Sequence, residues 1–216
     1  PLHALRERGV EYVEVRCMDL DPFEPVGINT DTVNFLDIFL LHCLVSDSPH
    51  DTPQEIAANA RNQQSTAERG REPNLQLERG DERISLVQWG AEILAQCAPV
   101  AAALDAALDS IDGSTPYRTA LAHAALALRE PQRLPSSRVL EVIRQDHAGC
   151  YAGFIRASSE QAKRTILGLP FSNDQQTHFE KIAADSVQEQ RRIEAADTLS
   201  FEAYRQQYLS PQKLTV

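Results

Sequence analysis

Glu14 and Arg16 are the residues whose types and spacing could do chemistry. They stand two positions apart in Gly9-Val10-Glu11-Tyr12-Val13-Glu14-Val15-Arg16-Cys17-Met18-Asp19, a run rich in β-branched residues. Such a run reads as a strand, and a period of two sets Tyr12, Glu14 and Arg16 on one face, with Val13, Val15 and Cys17 on a core-facing side. An ordered carboxylate beside a fixed guanidinium suits a hard cation and a phosphoryl group. Mg²⁺ takes oxygen ligands, and Arg offers a planar fork of donors to phosphate or carboxylate. A half-exposed strand carrying a solvated Glu–Arg pair has the same alternation, so the pattern alone fits both readings. Asp19, Asp21-Pro22 and Glu24-Pro25 continue the acidic character into a constrained turn. There Asp19 and Asp21 suit turn and capping roles better than ligation, and Tyr12 suits support of the shared face.

The elements that must position this segment are helical. Val33 to Val45 leaves almost no polar face and is expected to be a central helix buried on most sides. Thr52-Pro53-Gln54-Glu55 combines a capping box with Pro at the first helical position, and Gly70 stands at the C-cap of that helix. The stretch from Pro73 to Leu86, with Gly80-Asp81 at its middle, fits a short hairpin or a loop. Helices are then expected over 86–108 with a break or kink at Pro99, over 116–129 from a Ser114-Thr115 start, from Ser136 or Ser137 to 148, and over 151–167, 173–196 and 200–209. The fold class read from this is α+β, predominantly α-helical.

Composition narrows the function classes. The 216 residues carry 21 Lys plus Arg against 31 Asp plus Glu, a formal net charge of -10. Phosphate-backbone binding relies on clustered positive charge, so no nucleic-acid partner is expected. Cys17, Cys43, Cys97 and Cys150 form no Cys-x-x-Cys pair and are expected to be buried free thiols. The apolar run 33–45 is too short to span a bilayer, so no membrane partner and a cytoplasmic location are expected. His42 reads as a core histidine, and His3, His50, His123, His147 and His178 have no partner at ligand spacing. Arg61, Arg69 and Arg71, interleaved with Glu68 and Glu72, fit a solvated face or a small anion patch.

Glu11-Tyr12-Val13-Glu14-Val15-Arg16, continuing as Met18-Asp19-Leu20-Asp21-Pro22-Phe23-Glu24-Pro25-Val26-Gly27, closely resembles a signature of the proteobacterial glutamate–cysteine ligases. Val33 to Asp47, Gly70-Arg71, Arg191-Arg192 and Glu194 to Thr198 resemble further stretches of that family. One departure is Gln63 after Asn62, where the family has an aromatic residue. The start at Pro1-Leu2-His3, without Met or signal stretch, adds the expectation of a piece of a longer polypeptide, namely its C-terminal portion.

The resemblance implies ATP- and Mg²⁺-dependent joining of the glutamate γ-carboxylate to the cysteine amine through γ-glutamyl phosphate, the first step of glutathione synthesis. It implies Glu14 as a Mg²⁺ ligand and Arg16 as the residue contacting the γ-glutamyl phosphate region. Residues 1–28 are then a strand and turn of a glutamine-synthetase-like antiparallel sheet, and 29–216 a helical region. The partners implied are glutamate, cysteine, ATP and the N-terminal remainder of the same polypeptide, and the isolated chain is expected to be inactive. Another carboxylate–amine ligase of the same fold, or a helical interaction module without catalysis, are the alternatives.

Overall fold

The computed structural model describes residues 2–16, 18–108 and 113–210. In chain order its elements are α1 (Leu2–Arg8), α2 (Thr30–Val45), α3 (Pro53–Arg69), β1 (Gln76–Arg79), β2 (Glu82–Ser85), α4 (Leu86–Leu108), α5 (Pro116–Arg129), a 3-10 turn (Pro131–Arg133), α6 (Pro135–Asp146), α7 (Tyr151–Leu167), α8 (Asn173–Ala196) and α9 (Phe201–Leu209). Among the described residues the architecture is therefore mainly helical, as the helix start and stop signals predict, with one two-stranded antiparallel sheet. It forms two units, Leu20–Leu167, and Pro1–Asp19 with Gly168–Val216.

The core of the larger unit is the packing of α2, α4 and α5 around Ile38, Cys97 and Ala101, none of which retains solvent exposure. Small residues on α4 let the helices approach closely. A Cβ added at Gly90 would come within 2.8 Å of the Leu128 side chain. α2 is central but less enclosed than its sequence predicts. Only Ile38 is buried, and Leu44 and Val45 are exposed, because two neighbouring helices cover only one side of an all-apolar cylinder. His42 is correspondingly half-buried in the last turn of α2, its Nδ1 3.3 Å from Ser46 Oγ, and not in the core.

The 73–86 stretch is a hairpin. β1 pairs with β2 in the register Leu77↔Ile84 and Arg79↔Glu82, closed by Gly80-Asp81 with Gly80 at φ +60°, as a two-residue turn demands. Leu75, Leu77 and Ile84 are buried. The outer edge of β1 is closed by a side chain of α3: Asn62 Nδ2 donates to Glu78 O at 2.7 Å, and Glu78 N donates to Asn62 Oδ1 at 2.8 Å. One amide thus satisfies both strand-edge groups that a neighbouring strand would otherwise take.

Several boundaries follow the expected signals. Thr52 and Glu55 form the capping box of α3, and Ser85 Oγ accepts from Gln88 N at 3.1 Å at the start of α4. α4 continues unbroken through Pro99. Pro99 lies on the exposed side, where water can satisfy the carbonyl that loses its donor. α6 begins at Pro135, one residue ahead of the expected serines, and has no side-chain cap. α4 is also the one described helix long and apolar enough to cross a bilayer, a property the apolar run 33–45 lacks. Here it is the helix on which α2 and α5 pack.

α5 starts at Pro116 as expected, and its first amides are held from another helix. Thr115 makes no side-chain cap. The orphan amides are taken by Asp105 at the end of α4, which accepts from Tyr117 N at 2.9 Å, Arg118 N at 3.1 Å and Arg118 Nε at 2.9 Å. Burial pushes the Asp105 carboxyl up, but the Arg118 guanidinium and the two backbone donors more than offset this and hold it below the usual carboxylate value. A carboxyl depressed in the folded state stabilises the fold above its unfolded pKa, and that contribution is lost as pH falls through the folded value. Asp105→Ala is expected to cost about 2–3 kcal/mol, the range for hydrogen bonds to a charged group. Urea titration at neutral pH checks it, and the deficit should shrink when repeated below the usual Asp range.

Candidate functional site

Within the unit formed by Pro1–Asp19 and Gly168–Val216, α1 ends at Gly9, whose φ of +77° turns the chain into the extended segment that follows. Gly9 N closes the helix on Leu5 O at 2.9 Å. Residues 9–16 are not paired with another strand among the described residues, so the expected strand over 10–17 is not formed as a ladder here. The physical reason is that a strand is defined by its neighbour: β-branched sequence favours extension, but only a partner supplies the hydrogen bonds. Its apolar side is likewise open. Val13 and Val15 are exposed, contrary to the expected core face, and Cys17 lies outside the described residues.

The side-chain alternation does hold for Glu14 and Arg16. Arg16 Nη2 lies 2.7 Å and Arg16 Nε 3.1 Å from Glu14 Oε2, so the two project to one side and form an ion pair. Both contacts fall on Oε2, leaving Oε1 outside the pair. The side chains are 55% and 76% exposed respectively, and such a pair contributes under about 1 kcal/mol. It is therefore readily opened: a cation can take the carboxylate, and a phosphate or carboxylate can take the guanidinium. A shallow cavity of about 330 Å³ adjoins Glu14, lined also by Leu5, Arg8, Glu11 and Tyr12.

The other candidates resolve into structural roles. Asp21 Oδ1 accepts from Phe23 N at 2.9 Å, a turn carboxylate as its position before Pro22 predicts. Arg61 pairs with Glu78 at 2.6 Å and Arg69 with Glu72 at 2.7 Å, and each carboxylate raises the pKa of its Arg partner. Both guanidinium groups rest on carboxylates, the arrangement of a solvated charged face. Of the thiols, Cys97 is buried and burial pushes its pKa up, but Cys43 and Cys150 are exposed, against expectation. His123 has a partner that sequence spacing hides: its Nδ1 lies 2.6 Å from Asp31 Oδ2, joining α5 to the first turn of α2. Beside them, Arg138 stacks 4.0 Å over the Phe23 ring and lies 3.7 Å from Asp21.

No group of three or more His, Cys, Asp or Glu side chains able to hold a metal occurs among the described residues. Glu14 belongs to no such group among the described residues.

The structure superposes with a TM-score of 0.84, at 29% identity, on the crystal structure of a glutamate–cysteine ligase from Francisella tularensis in complex with AMP, covering 96% of this chain and 40% of that one. A family model described as glutamate-cysteine ligase matches residues 1–66. Glutamate–cysteine ligases of Saccharophagus degradans and Bordetella parapertussis are each 38% identical over 96% of this chain, and the match covers 38% and 39% of their lengths. The chain is similar to these glutamate–cysteine ligases over nearly all of its length, and it spans about two fifths of theirs.

An ion pair this exposed contributes little to folding, which makes a plain prediction. Glu14→Gln and Arg16→Gln are each expected to leave the unfolding free energy within about 0.5 kcal/mol of the parent in urea titration. A larger loss would mark the pair as a structural clamp.

Proposed function

We propose that this chain is the C-terminal part of an ATP- and Mg²⁺-dependent glutamate–cysteine ligase, acting in the cytoplasm on the path to glutathione. The observation that carries the reading is the Glu14–Arg16 pair on one side of an extended segment, inside the stretch that the family model matches. Free thiols at Cys43, Cys97 and Cys150 agree with a reducing compartment. The crystal structure with AMP supports a nucleotide substrate for this family.

In this reading the γ-carboxylate of glutamate attacks the terminal phosphorus of ATP and releases ADP. The cysteine amine then attacks the acyl carbon of γ-glutamyl phosphate, releasing phosphate and a proton and leaving an amide. Arg16 binds the phosphoryl oxygens, where charge builds up during both steps, and its exchange from Glu14 to phosphate is nearly thermoneutral because the resting pair is solvated. Glu14 would hold Mg²⁺ through a carboxylate oxygen, and the ion would supply positive charge to the phosphoryl oxygens. Residues 1–28 belong in this reading to the catalytic sheet, which gives the extended segment its neighbours, and residues 29–216 to the helical region.

In a full-length ligase bearing this segment, Arg16→Ala is expected to lower kcat by about 10²–10³-fold, the loss seen when one donor to a developing oxyanion is removed. Glu14→Ala is expected to raise the Mg²⁺ concentration for half-activity by about 10-fold or more. A coupled assay of ADP release with glutamate and cysteine measures both. Unchanged rates in both variants would return the chain to the reading of a helical interaction module, and faster turnover with another amino acid in place of cysteine would change the amine. The isolated 216-residue chain is expected to form no γ-glutamylcysteine; ATP-dependent product from it would overturn the division of the site.

A further inference from the structure

The 168–210 stretch carries an amphipathic arm whose apolar side is open. In α8, Phe179, Ile182 and Ile193 fall on one side of the helix at helical spacing and are 49–56% exposed. The Lys181–Asp185 ion pair lies away from this stripe, and Glu189, paired with Arg192, borders it next to Ile182. α9 repeats the arrangement with Phe201, Tyr204 and Tyr208 on one face, each more than half exposed. A polar side satisfied within the helix and an apolar side left in water are the marks of an element that packs against something else. An isolated helix of this length is marginal in water and draws most of its stability from such packing.

What covers the stripe is suggested by two observations. The superposed ligase chain from Francisella tularensis matches 96% of this chain, too much to leave α8 and α9 outside the shared fold, and the other three fifths of that chain have no counterpart here. A second copy of this chain is a poorer fit. If Phe179 and Ile193 take equivalent seam positions, Ser186 lies at the seam between them and Glu189 follows Ile182 one heptad on. Two copies in register would bury Ser186 against itself and set Glu189 against Glu189.

We propose that the Phe179–Ile193 stripe of α8, continued by the aromatic face of α9, is the docking surface for the portion of ligase polypeptide that the longer relatives carry beyond this match. The occupant presents an apolar surface with a hydrogen-bonding group opposite Ser186. This rests on the ligase reading above, but it concerns packing and is separable from catalysis.

The test supplies that portion from the Saccharophagus degradans relative in two ways, as a separate chain mixed with the 216-residue protein and as a single-chain fusion to it. Hydrogen–deuterium exchange at α8 is the readout. Exchange in the protein alone is expected to be fast and independent of concentration, and to slow about 10-fold or more in the mixture or the fusion. Phe179→Glu with Ile182→Glu is expected to abolish the slowing, while Gln188→Glu on the opposite face leaves it, with helix content checked by circular dichroism. Concentration-dependent protection in the protein alone points to a second copy and overturns the proposal, as does unchanged exchange in both the mixture and the fusion. A fusion that protects α8 but makes no γ-glutamylcysteine sinks the ligase reading and leaves the docking surface standing. One that is active with α8 unprotected does the reverse.

Discussion

One carboxylate sets the register of the larger unit. Asp105 ends α4 and receives both the first amides of α5 and the Arg118 guanidinium, so the turn between the two helices is fixed by a charge and not by its own residues. With that end held, α5 returns along α4 and brings Leu128 against Gly90, where only a glycine admits it. α2 then fits across both, with Ile38 on Cys97 and Ala101. The Asp31–His123 contact ties its first turn to α5. The buried charge is tolerable because each of its oxygens is satisfied; with one partner missing, the desolvation penalty would stand uncompensated.

A second constraint runs through both units: there is more apolar surface than the described residues cover. It shows at Leu44 and Val45 of α2, at Val13 and Val15 beside the Glu14–Arg16 pair, and along α8 and α9. Scattered exposed leucines are ordinary in proteins, whereas a stripe at helical spacing and an extended β-branched segment without a neighbour are not. Both are what a segment spanning two fifths of its relatives' length would present. The chemistry has the same shape. One carboxylate and one guanidinium are placed on a shared side, and the other groups that a metal and a nucleotide would need do not gather among the described residues.

The helices were legible because their signals are local: a capping box at Thr52 and Glu55, prolines at the first turns, and apolar periodicity. Glu14 and Arg16 were legible for a similar reason, since alternation is a property of neighbouring residues and survives even where the strand has no partner. The pairs Asn62–Glu78 and Asp31–His123 were not, because 16 and 92 positions separate their members and neither residue type announces its partner. The start of α5 at Pro116 is legible, but the acceptor that holds its first amides is not, because Asp105 lies 12 positions away from Tyr117 on another helix.

By itself the sequence determined the helical class, most element boundaries and the side on which Glu14 and Arg16 stand. These follow from backbone sterics and hydrogen bonding within a few residues. Only the tertiary structure decided which apolar faces are covered, which arginines are already occupied, and that Val13 and Val15 lie open instead of facing a core. Burial and long-range pairing depend on which distant segments arrive as neighbours, and a periodic pattern records that a face wants cover without recording what supplies it.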